Sequence, residues 1–436
     1  MDGVYNPTKL GYTLLPMITD ILYRCPNCGS FDWLDREHCR HCGTGVRIIS
    51  RSRIEVGGTE NTVSHWYQKV LSFELPANGG DAILTSGPVE LSREAHKGTY
   101  KGYSGVVARR YTRLPFDEGG LVLKRNGLVF SGRNESFAIP LGDVTAITIE
   151  SDTIIVISRT LGVLFFDFLE ESGKKWEDMI RKVLTVHHAP REIVEFYPRL
   201  RFEDSFREFP ARATGHKDLV MPVKRWFSSN TSLLFTVVRA LAKPVVEKLF
   251  SVDIRGLENI PKTGAALLLS NHTSFMDSII LGTFPRRRIW FMAKNSEYRN
   301  PLMTWAMIKA RSFPVRRYTI DVAAVRNAIR VVQQGHILGI YPEGERCWDN
   351  SLLPLRFGTM RLALALGKPI IPVGISGAYE LMPRWESSLK PSTVRIRIGE
   401  PFELPHIPGP KQTKDHVFQA RDTVRTRITN LLGEIN

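Results

Sequence analysis

Four short runs of almost uninterrupted apolar residues decide what the C-terminal half of this chain can become: 265–270, 289–293, 337–341 and 370–375. Strands covered on both faces read this way, because neither face meets water. Helical patterns lie between the last three runs. Val322, Val325, Ile329 and Val332 recur at helical spacing before Gly335, and residues 362–366 stop at Gly367. Val394-Arg395-Ile396-Arg397-Ile398 alternates as a strand with one wet face does. Val417, Ala420, Val424, Ile428 and Leu431 form the buried side of a final helix. The pattern predicts an α/β domain over residues 230–436.

In open α/β sheets the ligand crevice lies beyond the carboxyl ends of the strands. The polar residues leaving the apolar runs are therefore the site candidates. The first run delivers Asn271-His272-Thr273-Ser274-Phe275-Met276-Asp277. Phe313-Pro314-Val315 delivers Arg316-Arg317, and the third run delivers Tyr341-Pro342-Glu343-Gly344-Glu345-Arg346. A strand-to-helix turn can fold His272 onto Asp277. Neutral imidazole then takes a proton from a hydroxyl while the carboxylate fixes its tautomer. Ser274-x-x-Asp277 also reads as a capping box, which would make Asp277 a helix starter. No serine or cysteine stands in a nucleophile elbow, so direct attack by an acceptor hydroxyl is expected rather than a covalent acyl-enzyme.

Together with Ile370-Ile371-Pro372-Val373, these blocks resemble, in order and spacing, those of the glycerolipid (lysophosphatidate-type) acyltransferase superfamily. Gly256-Leu257-Glu258-Asn259-Ile260-Pro261, Met292-Ala293-Lys294 and Arg356-Phe357-Gly358 fit the same pattern, and the resemblance spans about residues 233–377. It implies transfer of a fatty acyl group from acyl-CoA or acyl carrier protein to a hydroxyl of a lysophospholipid acceptor, 1-acyl-sn-glycerol-3-phosphate or similar. It also implies His272 as general base, Asp277 as its orienter, and Arg317 on the acceptor phosphate. Glu343, Gly344 and Arg346 would bind the acceptor. Arg316 stands where the superfamily more often has an acidic residue, and Glu345 where threonine is commonest, which alters the charge beside the phosphate. The run Arg286-Arg287-Arg288 reads equally as a solvated basic face. The rival from another class is a membrane adaptor whose fold only binds lipid, against which the intact His272 and Asp277 argue.

The N-terminal half reads differently. Cys25-Pro26-Asn27-Cys28 and Cys39-Arg40-His41-Cys42 are each followed by a glycine, Gly29 and Gly43. Two such knuckles suit a four-thiolate structural zinc ribbon over residues 25–50; a redox dithiol, or His38 or His41 replacing one ligand, is the alternative. Cys347 is left over as a free thiol. Residues 64–188 read as β-rich, with strand-like runs at 121–123, 127–130, 144–149, 154–157 and 163–168. A helix follows with Trp176, Met179, Ile180, Val183 and Leu184 on one face and Lys174, Lys175, Glu177 and Asp178 off it. Strands closed by such a helix resemble the pleckstrin-homology-like barrel, and a structural or protein-binding β-domain stays open beside it. Residues 189–229 read as a connector, and 231–250 as a helix with Arg239, Lys243 and Glu247 in one polar stripe. The superfamily resemblance implies lipid capture through a helical motif at that position.

Lysine and arginine (59) exceed aspartate and glutamate (44), so the net charge is +15 and polyanionic partners are favoured. An anionic membrane surface and a CoA donor fit this. Nucleic acid is not expected, since the chain shows no basic helix or aromatic-interleaved basic stretch. No apolar stretch is long enough to span a bilayer and no signal peptide is apparent, so a cytoplasmic, peripherally membrane-associated protein is expected.

Overall fold

The computed structural model describes residues 18–76, 81–205, 250–298 and 300–435, together with 243, 244, 246 and 247. Most of the helix expected over 231–250, and the connector beyond residue 205, lie outside the described residues.

The chain builds two large sheets. The first is antiparallel and eight-stranded: β1 (Ala82–Thr85), β2 (Val89–Lys101), β3 (Val107–Lys124), β4 (Gly127–Gly132), β5 (Ser136–Pro140), β6 (Val144–Glu150), β7 (Thr153–Ser158) and β8 (Gly162–Phe168). Its order is β5-β4-β3-β2-β8-β7-β6, with β1 paired to β3. Helix α1 (Val63–Ser72) precedes it and α2 (Gly173–His187) follows it. The predicted apolar face of α2, from Trp176 to Leu184, is buried. The face expected to be wet is buried as well. Lys174 bridges Glu177 and Asp178, both at 2.7 Å, while Tyr23 and Tyr67 donate their hydroxyls to Asp178. The cysteine-rich segment and α1 cover that side, and buried charges persist there because each has partners.

The second sheet has seven strands: β9 (Val252–Arg255), β10 (Ala266–Ser270), β11 (Ile289–Lys294), β12 (Ser312–Val315), β13 (Ile337–Ile340), β14 (Ile370–Ser376) and β15 (Val394–Ile398). Their order is β9-β15-β14-β10-β13-β11-β12. The five from β12 to β14 run parallel, and β15 is antiparallel to β14. Helices α3 (Met276–Thr283), α4 (Pro301–Lys309), α5 (Val322–Gln333), α6 (Phe357–Leu366) and α7 (Lys414–Gly433) complete the α/β domain. All four apolar runs are strands of this sheet. The helix start expected at Asp277 is the first turn of α3, whereas α4 was not foreseen.

The face expected for α5 is corrected. Ala324, Asn327, Ala328, Val331 and Val332 are buried, whereas Val322 is 54% and Val325 41% exposed. The reason is a long hairpin, β2–β3, whose tip leaves the first sheet and packs on the second. Asn327 serves its backbone like a strand edge, donating to Val107 O at 2.9 Å and accepting from Val107 N at 3.3 Å. Tyr100, Val106 and Ala108 from this hairpin share one core with Leu267, Trp290 and Phe313, and Tyr100 donates to Ser312 O on β12. An otherwise open edge of the parallel sheet is thereby covered. A second tie is Arg51, 3% exposed, which pairs with Glu386 and donates to the carbonyls of Glu380, Leu381 and Ser388.

Candidate active site

The parallel strands end where they should for a ligand crevice. Strand β10 ends at Ser270, and the following turn enters α3 at Met276. Within that turn one carboxylate oxygen organises the backbone. Asp277 Oδ2 accepts Thr273 N at 2.8 Å, Ser274 N at 2.9 Å and His272 Nδ1 at 2.8 Å. The helix-start and imidazole-orienting readings of Asp277 are thus one arrangement. With Nδ1 donating to a carboxylate, the lone pair stays on Nε2. Burial pushes the His272 pKa below its usual value and Asp277 pulls it up; the nearby Arg346 and Arg317 guanidiniums push it down again. Neutral imidazole, the form able to accept a proton, therefore prevails over a wide pH range.

The ring is wedged in place. It stacks on Tyr341, with centroids 3.8 Å apart and planes 11° from parallel, and the Tyr341 hydroxyl lies 2.9 Å from Ser278 Oγ. Asn271 ties β10 to β14 by exchanging two 2.8 Å hydrogen bonds with the backbone of Ile375.

The loop after β13 supplies three expected residues, and the structure separates them. Glu343 is fully buried, its oxygens accepting His272 N and Leu353 N, each at 2.7 Å. Expected to bind an acceptor, it instead spends its carboxylate on two amides and shapes the loop. Gly344 sits at φ +78°, where an added Cβ would meet Arg356 Cγ and the Tyr197 hydroxyl at 3.2 Å. Its carbonyl accepts Arg317 Nη1 at 2.9 Å. Arg346 is half-buried, and its guanidinium has no hydrogen-bond or ion-pair partner among the described residues. Burial, with Arg384 and Arg317 nearby, lowers its pKa to about 10. Lys294, at the end of β11, is likewise lowered by burial and by Arg317 and Arg346. Lys294 pairs with Glu297 at 3.4 Å, which leaves Arg346 as the cation of this group without a carboxylate partner among the described residues. A cation cluster beside a neutral imidazole can hold an anionic headgroup and deprotonate a hydroxyl next to it.

Glu345 carries charge into this neighbourhood, but the charge is held locally. Its carboxylate takes Arg356 at 3.1 Å, Arg384 at 2.7 Å and the Tyr197 hydroxyl at 3.0 Å. Despite burial, those arginines keep it well below the usual carboxylate range. Arg316 pairs with Glu94 of β2 at 3.3 Å. Arg287 clamps the carbonyls of Pro261, Gly264 and Gly335 at 2.7–2.9 Å.

Residues 251–376 match the family model described as Acyltransferase. This stretch is an acyltransferase domain of the glycerolipid type. A chloroplastic 1-acyl-sn-glycerol-3-phosphate acyltransferase of Brassica napus is 29% identical over 157 residues, covering 35% of this chain and 45% of that one. A 1-acyl-sn-glycerol-3-phosphate acyltransferase of Bacillus subtilis is 24% identical, covering 42% of this chain and 90% of its own length. The crystal structure of a 1-acyl-sn-glycerophosphate acyltransferase from Thermotoga maritima aligns with TM-score 0.39 and 26% identity, over 46% of this chain and 79% of that one. The chain thus spans less than half of the Brassica relative's length.

The matched stretch contains His272, Asp277, Arg317, Glu343, Gly344 and Arg346. The antiparallel sheet lies outside it, yet reaches the acyltransferase domain's crevice. Glu150, the last residue of β6, faces Arg317 Nη2 at 3.5 Å, and Ile149 O accepts Arg384 Nη2 at 2.8 Å. No sequence signal marked Glu150 or Arg384, because neither stands in a motif.

The four cysteines Cys25, Cys28, Cys39 and Cys42 gather with all their sulfurs within 4.8 Å of one another. The Sγ atoms of Cys25 and Cys42, and those of Cys28 and Cys39, are 3.8 Å apart. That matches the edge of about 3.8 Å for a tetrahedron with 2.3 Å metal–sulfur bonds. Asn27 N and His41 N each donate to the first sulfur of their knuckle at 3.4 Å. The donor set could hold a metal ion. Neither His38 nor His41 belongs to it.

Proposed function

We propose that this chain is a glycerolipid O-acyltransferase. It would transfer a fatty acyl group from acyl-CoA or acyl carrier protein to a hydroxyl of a lysophospholipid acceptor such as 1-acyl-sn-glycerol-3-phosphate. The observation carrying the proposal is the buried His272–Asp277 pair beside the cluster of Lys294, Arg317 and Arg346, inside a stretch that matches the acyltransferase family. In this reading Nε2 of His272 accepts the acceptor's hydroxyl proton as its oxygen attacks the thioester carbonyl. The carbon–sulfur bond then breaks, and the same proton passes to the leaving thiolate. Asp277 stabilises the imidazolium in between. Arg317, with Gly344 holding it, and Arg346 grip the acceptor phosphate, while Glu343 keeps the loop and His272 in register.

The remaining modules enter the proposal in supporting roles. Cys25, Cys28, Cys39 and Cys42 would hold one structural zinc ion, whose contribution is to cross-link residues 25–50 without taking part in transfer. Residues 64–188 would form a pleckstrin-homology-like module, 189–229 a connector and 230–436 the acyltransferase domain. Among the described residues no helix is long and apolar enough to cross a membrane. We place the chain at a cytoplasmic membrane surface, drawn there by its +15 charge.

The test is transfer of labelled acyl groups from acyl-CoA and from acyl carrier protein to a panel of lysolipids by the purified chain. Transfer with either donor supports the reading. Lipid binding without transfer from either donor would make the chain an adaptor on an acyltransferase fold.

A further inference from the structure

Resting on the reading that Arg317 faces the acceptor headgroup, we propose that Glu150 determines which acceptor charge the site admits. It is a carboxylate lent by the antiparallel sheet that weakens binding of a phosphate monoester dianion more than binding of a singly charged phosphodiester.

Glu150 lies far outside the 251–376 acyltransferase match, yet its carboxylate is 3.5 Å from Arg317 and only 5% of the residue is exposed. Its other oxygen lies 3.6 Å from Arg113 and accepts Ser296 Oγ at 3.3 Å. Arg113 is already shared with Asp167 at 3.1 Å. The counter-charge for Arg317 is therefore substantially in place before any acceptor arrives. Arg346 is the cation of the cluster that no carboxylate of the described residues meets.

The carboxylate is also well anchored. Glu150 ends β6, where its backbone pairs with Thr153, and Ile149 O is held by Arg384, the same arginine that pairs with Glu345. A phosphate that engages Arg317 must share it with a fixed negative charge in a poorly screened site. The repulsion grows in proportion to the ligand's charge, so a dianion meets twice what a monoanion meets at the same place.

The test measures binding of short-chain lysophosphatidate and lysophosphatidylglycerol by the full chain, by calorimetry below their micelle concentrations, at a pH where the monoester is a dianion. Glu150→Gln should tighten lysophosphatidate by about tenfold and lysophosphatidylglycerol by about threefold, since halving the charge halves the repulsive free energy. Glu150→Asp withdraws the same charge by one methylene and should shift selectivity the same way by a smaller factor. It also serves if Glu150→Gln does not fold. An equal effect on both lipids, no effect, or weaker binding of both would overturn the proposal and leave Glu150 a structural partner of Arg317. Binding is read without turnover. A chain that binds both lipids but transfers to neither therefore fails the acyltransferase reading, while the binding ratio still decides the role of Glu150. Binding of neither lipid by wild type and variants alike overturns both.

Discussion

Glu343 and His272 are joined through the backbone: the carboxylate of one accepts the amide N–H of the other at 2.7 Å. The two residues are 71 positions apart and leave neighbouring parallel strands, β13 and β10. The second oxygen of Glu343 takes Leu353 N at 2.7 Å, and Cys347 N returns a bond to His272 O at 2.9 Å. The turn bearing His272 and the loop bearing Glu343 are thereby one hydrogen-bonded unit.

Glu343→Ala should leave two buried amides without acceptors, each costing about 1–3 kcal/mol. Glu343→Gln keeps an oxygen for one amide only and should recover part of the loss. Urea unfolding beside steady-state kinetics measures both effects. An unchanged midpoint for the alanine variant would show that water replaces the carboxylate.

His272→Ala should slow single-turnover acyl transfer by about 10²–10⁴-fold, the usual worth of a positioned base. The thermal melt should stay close to wild type, because Asp277 keeps its two backbone donors at the start of α3. Near-normal turnover in a folded variant would remove His272 from the mechanism.

The pH dependence follows from the lowered pKa of His272. The working form is neutral, so activity is full above that pKa and lost as pH falls through it. The acid limb of kcat/KM should therefore have its midpoint below about 6.5, the unperturbed histidine value. Asp277 holds the pKa up, so Asp277→Asn should move this limb further toward acid while lowering the plateau. A limb that moved toward alkaline pH would contradict the assignment.

Arg51→Ala should destabilise the chain by about 3–5 kcal/mol, since it strands the buried carboxylate of Glu386. Guanidinium unfolding followed by tryptophan fluorescence reads this. A loss under half a kcal/mol, roughly the level of exposed ion pairs, would mean that the interface tolerates solvent.

Metal analysis of protein purified without chelators should find one zinc per chain, and a strong chelator should lower the melting temperature. Retention of zinc by a Cys25→Ser, Cys39→Ser double variant would relocate the metal from the cluster at Cys25, Cys28, Cys39 and Cys42.

The four apolar runs of the second sheet, the turn bearing His272 and Asp277 and the loop bearing Glu343 to Arg346 were legible in the sequence. Their determinants are local: a strand covered on both faces must be apolar throughout, and the polar residues that leave it can only stand at its end. The cysteine cluster was legible for the same reason, since each knuckle needs only a short spacing. The partners across the fold were not. Glu150 reaches Arg317 over 167 positions, Asn327 meets Val107 over 220 and Arg51 meets Glu386 over 335. Tertiary structure alone decided that the antiparallel sheet would send a hairpin onto α5 and a carboxylate into the acyltransferase crevice. Periodicity registers which face of an element avoids water, and it is blind to a polar side chain buried because a distant backbone or charge satisfies it.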